Sequence, residues 1–325
     1  MKEIIIGKND EKQRLDRFLR KYLANAPLSA IYKMIRKDVK INGKRGKEDT
    51  MLNDGDILLL YISDDDFNKY TAEKRQRKRA KKQFTIAYED DNILVVEKPF
   101  GLLTHGDKME KKNHLANQVI DYLIEKGDYN PRIEKSFTPA SVNRLDRNTT
   151  GLVLFGKNSM ALKELNKKIR QGDCVYKFYQ TIVSGELKEE LHLFDKMVKN
   201  RETNKIKVIS KDSKEGLTME TIVKPQVCKN GYTLVEVQII TGRTHQIRAH
   251  LAKAGHPIIG DVKYGKRSVN EKFRREYQLN TQLLHAYKLV FDGFSGELAY
   301  LNGMSIEAGL PENFVDIKNN LFGEC

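Results

Sequence analysis

Residues 139 to 156 read Pro-Ala-Ser-Val-Asn-Arg-Leu-Asp-Arg-Asn-Thr-Thr-Gly-Leu-Val-Leu-Phe-Gly, a polar turn that feeds directly into an apolar run. Residues 152–155 carry no polar side chain, and Gly151 opens them, so the run reads as a buried strand. The turn holds one carboxylate, Asp146, between Arg144 and Arg147. A turn exposes a side chain while the strand behind it fixes the backbone, which makes this junction a good mount for a reactive group. Flanking guanidiniums favour the charged carboxylate, and such a group serves as a nucleophile or a base. An aspartate that merely caps a turn and pairs with a surface arginine would look the same in isolation. The remainder of the chain has to decide between the two.

Strand-like segments recur along the chain. Residues 84–88 and 93–96 flank the acidic turn Glu89-Asp90-Asp91-Asn92, and further strands are expected over 175–183, 218–223, 232–240 and 283–290. Within 232–240, Val235, Val237 and Ile239 alternate with Glu236 and Gln238, so one face is buried. Helical signals are fewer. Leu115, Val119, Tyr122 and Leu123 share a face, and Ser159 is positioned to cap a helix carrying Leu162, Leu165 and Ile169 that Gly172 ends. Residues 186–216 are charged and weakly patterned, as hairpins with loops would be. Many strands with few helices indicate an α+β fold with a mixed, mainly antiparallel sheet. Neither GxGxxG nor a Walker A sequence occurs, which argues against a nucleotide cofactor.

A second constellation lies at residues 241–251, Thr-Gly-Arg-Thr-His-Gln-Ile-Arg-Ala-His-Leu. Gly242 suits a tight turn and Thr244 a helix cap, with Ile247, Leu251 and Ala254 on the buried stripe. His245 and Arg248, three apart, fall on neighbouring faces. Basic and hydrogen-bonding groups at a helix start suit a phosphate. His245, His250 and His256 do not form HExxH and no acid separates them, so no metal site is expected. Tyr179, in Lys177-Phe178-Tyr179, is an aromatic suited to a base pocket, although a tyrosine in a strand is otherwise simply core.

The charge balance bears on the partner, with a basic surface kept only for solubility as the alternative to a polyanion. The 325 residues carry a net charge of +14, and a chain this basic usually meets a polyanion, most often nucleic acid. Within residues 13–62, Leu15, Phe18, Leu19, Tyr22 and Leu23 mark one amphipathic helix and Leu28, Ile31, Tyr32 and Ile35 a second. The exposed side of the second carries Lys33, Arg36 and Lys37. A strand at 39–41, the hairpin signal Asn42-Gly43, Lys44 and Arg45 follow, then the turn Asp54-Gly55 and a strand over 57–62. Residues 74–82 hold seven basic residues in nine, a run with no apolar face that should be flexible when free; such a run is usually just solvated, but between two units that would each meet RNA it reads as an RNA tether. Cys174, Cys228 and Cys325 form no CxxC, which fits a reducing compartment. No apolar run reaches the length of a membrane span, and the start at Met1 lacks a signal peptide, so a cytoplasmic protein is expected.

Two short helices, a hairpin and a basic face resemble an S4 RNA-binding domain, carried by Arg14-Leu15-Asp16-Arg17-Phe18-Leu19 and Val39-Lys40-Ile41-Asn42-Gly43-Lys44. The larger part resembles the RluA-type pseudouridine synthases, and most closely the RluC/RluD branch that joins an S4 domain to the catalytic domain. That family's His-Arg-Leu-Asp followed by Thr-Ser-Gly-Leu appears here as Asn143-Arg144-Leu145-Asp146 and Thr149-Thr150-Gly151-Leu152, with Asn143 and Thr150 as departures. Residues 242–248, residues 95–102 and Lys177-Phe178-Tyr179 are also similar to the family.

The resemblance implies an S4-like domain over 1–66, a basic linker over 67–83 and a catalytic domain over 84–325. It implies isomerisation of uridine to pseudouridine in RNA, most readily 23S ribosomal RNA or the assembling large subunit, by a monomer without metal or organic cofactor. Asp146 would be the essential carboxylate, attacking the sugar or the base or removing a proton from C2′. Arg248 would pair with it, Tyr179 would stack on the uracil, and Arg144 would fill the gap left by the flipped base. Lys98, Arg243, Thr244 and His245 would contact RNA near the site, and Arg14, Lys33, Arg36, Lys37, Lys44 and Arg45 would contact it from the N-terminal domain. A non-catalytic RNA-binding or ribosome-assembly factor, a synthase acting on transfer RNA, and a glycoside hydrolase are the alternatives. The last needs a second carboxylate opposite the first, and none stands out.

Overall fold

The computed structural model describes residues 1–72, 80–172, 174–200 and 205–323; Lys74 to Arg79 of the expected tether, and Cys325, lie outside them. The chain begins with β1 (Lys2–Ile5), α1 (Leu15–Tyr22), α2 (Leu28–Lys37), β2 (Val39–Ile41), β3 (Lys44–Arg45) and β4 (Ile57–Leu60). The strands form a sheet in the order β1-β4-β2-β3. Asn42 and Gly43 join β2 to β3 with φ of 49° and 77°, the left-handed pair that a two-residue hairpin needs. Leu15, Phe18 and Leu19 of α1 and Ile31 and Ile35 of α2 bury their stripes against Leu58 and Leu60. Ser63 accepts the Asp66 N–H at 3.1 Å and caps α3 (Asp64–Thr71). Residues 67–71, expected as the start of the linker, are therefore helical, and Phe67 and Tyr70 pack on this first core.

The remainder builds β5 (Thr85–Glu89), β6 (Ile93–Lys98), α4 (Leu115–Lys126), β7 (Ala140–Ser141), β8 (Thr150–Gly156), α5 (Ser159–Gln171), β9 (Val175–Ser184), β10 (Leu191–Lys199), β11 (Ile206–Ile209), β12 (Leu217–Lys229) and β13 (Tyr232–Ile239). Then come α6 (Gln246–Lys253), α7 (Arg267–Tyr277), β14 (Leu284–Phe291), a 3-10 helix (Gly296–Leu301), β15 (Ser305–Glu307) and α8 (Glu312–Phe322). Among the described residues the strands form one sheet in the order β11-β10-β12-β13-β9-β14-β8-β6-β5, with β15 beside β14 and β7 beside β8. Its pairings are antiparallel except for β8 against β14, so the mainly antiparallel α+β reading holds. On one face α4 and α6 bury Leu115, Val119, Ile247 and Leu251; on the other α5 and the 3-10 helix bury Ala161, Leu165, Leu298 and Leu301.

Two caps differ from expectation. Asn158, not Ser159, caps α5 by accepting the Ala161 N–H at 2.8 Å, because Asn158 holds the extended backbone of a cap, with φ of −128° and ψ of 167°, and Ser159 is already the first helical residue. Thr244 does not cap α6. His245 occupies the cap with φ of 53°, and the Gln246 side chain instead accepts the Arg243 N–H at 3.0 Å.

Candidate active site

The turn from Asn143 to Thr150 is held at nearly every residue. Asn143 accepts the Leu154 N–H at 2.8 Å and donates to the Leu152 carbonyl at 3.3 Å, tying the start of the turn to β8. The Thr104 hydroxyl donates to the Leu145 carbonyl at 3.0 Å and accepts its N–H at 3.1 Å. The Thr149 N–H closes the turn on the Asp146 carbonyl at 3.1 Å. Thr150 shares a 2.7 Å hydrogen bond with His285 Nδ1 of β14. Gly151 lies directly over β14, with φ of 106° and space so tight that a Cβ would fall 2.1 Å from the Ala286 carbonyl oxygen. Only glycine fits there. A site so pinned is ordered before any ligand arrives.

Lys98 belongs to this scaffold. It is 1% exposed, and its ammonium donates to the carbonyls of Pro99, Leu102 and Arg147 at 3.0, 2.8 and 3.0 Å. The expected contact with RNA is therefore corrected: three donors meet three backbone acceptors, and none is left for a ligand. Burial pulls this ammonium down to about 7, against the charge of Asp146.

The Asp146 carboxylate emerges from the turn and meets Arg248 of α6, whose Nη1 donates to it at 2.9 Å. The far side of the same guanidinium donates through Nε and Nη2 to Asp261 at 2.7 and 2.9 Å. Asp261 is fully buried and also accepts the N–H groups of Lys263 and Tyr264. Burial works to raise its carboxyl, but Arg248 and the two backbone donors outweigh it and hold the group below the usual range. Asp261 thus aims Arg248 at Asp146. The sequence reading missed it, yet a signal was there: an acid directly after the apolar Ile258-Ile259-Gly260, where a buried carboxylate needs a cation.

His245 Nε2 lies 3.9 Å from the Asp146 carboxylate, and its Nδ1 shares a 3.1 Å hydrogen bond with the Tyr264 hydroxyl, a second partner the sequence did not reveal. Burial keeps this imidazole below its ordinary value and outweighs the pull of Asp146. Tyr179 is 5% exposed. Burial, and then the charge of Asp146, push its phenol well up, so it stays protonated at neutral pH.

Asp146, Arg144, Tyr179, Arg243, Thr244, His245 and Arg248 line one cavity of about 250 Å³. Arg144, Arg243 and Thr244 are exposed, whereas Tyr179 and Arg248 are buried. The cavity thus has a cationic rim, a buried aromatic wall and one carboxylate held by a guanidinium. Lys33, Arg36, Lys37, Lys44 and Arg45 are exposed on the N-terminal unit and do not line this cavity. Arg14 is turned onto Asp16 of its own helix, donating at 3.0 and 3.1 Å.

The sequence profile of the RNA pseudouridylate synthase family matches residues 92–253, a span that contains Asp146, Tyr179 and Arg248. The ribosomal large subunit pseudouridine synthase C of Escherichia coli (strain K12) is 33% identical over 96% of this chain and 94% of its own. A protein of Mycoplasma capricolum described as an uncharacterized RNA pseudouridine synthase is 32% identical over 94% of this chain and 97% of its own. Among solved structures, human RNA pseudouridylate synthase domain containing 4 superposes with a TM-score of 0.57 at 22% identity, covering 73% of this chain and 92% of its own, a likeness of fold.

Proposed function

The chain belongs to the RNA pseudouridine synthases of the RluA type, and from that premise we propose how its own residues carry the isomerisation and which RNA they serve. The enzyme converts uridine in RNA to pseudouridine. The N1–C1′ bond breaks, the uracil turns, C5 bonds to C1′, and the C5 proton is lost while N1 gains one.

Asp146 is the carboxylate that acts on the nucleotide. The observation that carries this is its carboxylate meeting the Arg248 guanidinium at 2.9 Å on the wall of a cavity that Tyr179 also lines. Arg248 holds the charge in place, and Asp261 holds Arg248. Tyr179 stacks on the flipped uracil. Arg144, exposed on the turn beside Asp146, fills the space the base leaves, and Arg243, Thr244 and His245 meet the backbone around it. Flipping costs a few kcal/mol, which pocket contacts offset.

The RNA is large-subunit ribosomal RNA. Support comes from the relatives that carry this name over most of their length, and from the net charge of +14. The N-terminal unit serves as an S4-like RNA-binding domain, laying Lys33, Arg36, Lys37, Lys44 and Arg45 along phosphates for affinity without sequence reading. Purified protein should release tritium from RNA labelled at uridine C5 when given large-subunit ribosomal RNA from cells lacking the gene. Release from transfer RNA and none from ribosomal RNA would reassign the substrate, and no release from either would refute the chemistry.

A further inference from the structure

Among the described residues, Lys177 is the one buried cation of the cavity wall that the reaction set out above does not use. It sits on β9, 5% exposed, and lines the same cavity as Asp146 and Tyr179. It stands two positions before Tyr179 with Phe178 between them, so the two side chains leave the same face of the strand about 7 Å apart. Ile239 of β13 and Leu289 of β14 are its cross-strand neighbours, and Ile169 of α5 also lines the cavity. Its ammonium has three donors and, among the described residues, one partner, the Val175 carbonyl at 3.0 Å; no carboxylate among them pairs with it. Compare Lys98, which is as deeply buried and has every donor matched. Burial lowers the Lys177 ammonium to about 8, so it is still mainly charged at neutral pH. A buried cation without a counter-charge is costly, and a cavity wall is where a ligand could complete it.

The chemistry of the ligand follows from the surroundings. A phosphate would have to be stripped of water to reach a lysine walled by Ile169 and Ile239, whereas exposed Arg144 and Arg243 offer it a solvated place at the rim. The base goes inward past Tyr179. When N1–C1′ breaks, the electron pair leaves with the uracil, and the negative charge spreads over N1, O2 and O4. We propose that Lys177 is a further catalytic residue, donating a hydrogen bond to one carbonyl oxygen of the flipped uracil and stabilising the charge that develops there as the glycosidic bond breaks. The inference rests on the pseudouridine synthase reading. It also implies selection against cytosine, whose N4 amino group would present a donor to a donor if the contacted oxygen is O4.

The test uses the full chain and RNA fragments that contain the uridine modified by the wild-type protein, made with uridine, 2-thiouridine or 4-thiouridine at that position. Sulfur is a poor acceptor, so the wild type should slow about tenfold at one of the two thio positions, the worth of one hydrogen bond. Lys177→Met should slow single-turnover conversion of uridine by about 10²–10³, as loss of one donor to a developing anion does elsewhere. It should bind RNA within about threefold of wild type, because phosphates dominate affinity, and lose the thio penalty. It should melt at or above the wild-type temperature, since methionine removes an unpaired buried charge. Lys177→Gln, which keeps a neutral donor, should fall between the two in rate and retain part of the penalty.

Wild-type rates in both variants would overturn the role of Lys177 alone, and so would slow variants that keep the full thio penalty, because that pattern reports a structural role. No pseudouridine from the wild-type protein would overturn the enzyme reading, and this inference with it.

Discussion

Arg248 stands between two carboxylates with different duties. Asp261 is sealed from solvent and takes two of its hydrogen bonds; Asp146 is partly open and takes one. Removing one member of a buried ion pair leaves the other uncompensated. Asp261→Asn should therefore destabilise the protein by about 3 kcal/mol in a denaturant titration. It should also lower the single-turnover rate more than RNA affinity, because Arg248 then loses its aim. Residue chemistry also sets an acid limit. Burial holds His250 and His285 down to about 4, each with a threonine hydroxyl beside Nδ1. The unfolded chain takes up these protons below about 6.5, whereas the folded chain resists until near 4. Their contribution to stability is thus complete above about 6.5 and lost as the pH falls toward 4, at up to about 1.4 kcal/mol per unit for each histidine. Melting temperatures recorded between pH 7 and 5 should fall, and His250→Asn should flatten the slope.

At the scale of elements, the strand β8 and the turn before it form one device. The parallel pairing of His285 with Thr150 and Ala286 with Gly151 brings β14 under the turn, and Gly151 permits the approach. Gly151→Ala should destabilise by about 3 kcal/mol through overpacking and displace Asp146, so conversion should fall even where the fold survives; rate and melting temperature measured together check this. The hydrophobic pattern revealed β8, α1, α2 and the Asn42-Gly43 hairpin because each buries a regular stripe or needs a left-handed pair. It gave little sign of α7, where Phe273 is the sole buried residue of a charged segment. Helix α8 did carry a stripe, Phe314, Ile317 and Leu321, beyond the last strand expected. The site was legible as far as its motifs. Asp146, Tyr179, Arg248, His245 and Arg243 do line one cavity, although they come from separate segments. The sequence could not show that Lys98 faces inward, because a lysine before Pro-Phe-Gly reads as a loop cation until its three carbonyl partners are in place. Asp261 left only the mark of an acid after an apolar run, and its role depends on a guanidinium thirteen residues earlier.

Across the whole molecule, the N-terminal unit is seated on the catalytic body. The Asn9 side chain contacts Glu134 and accepts the Ser159 N–H at 2.8 Å, Gln13 donates to Ser136 at 3.1 Å, and Lys135 lies 5.1 Å from the Tyr22 ring. Its basic helix face is thereby carried with the cavity. If that face tracks phosphates, Lys33→Glu with Arg36→Glu should weaken RNA binding across all sequences and reduce the salt slope by about 1 for each phosphate no longer neutralised. The rate of conversion at saturating RNA should not change, and a titration over ionic strength separates the two effects. The central claim concerns Asp146. The most direct measurement is a pseudouridine map of ribosomal and transfer RNA from cells whose only copy carries Asp146→Asn, alongside cells lacking the gene. The account predicts that every large-subunit uridine left unmodified by the deletion stays unmodified with the variant, while the purified variant binds RNA and melts like the wild type. Pseudouridine restored at those positions by Asp146→Asn would contradict it.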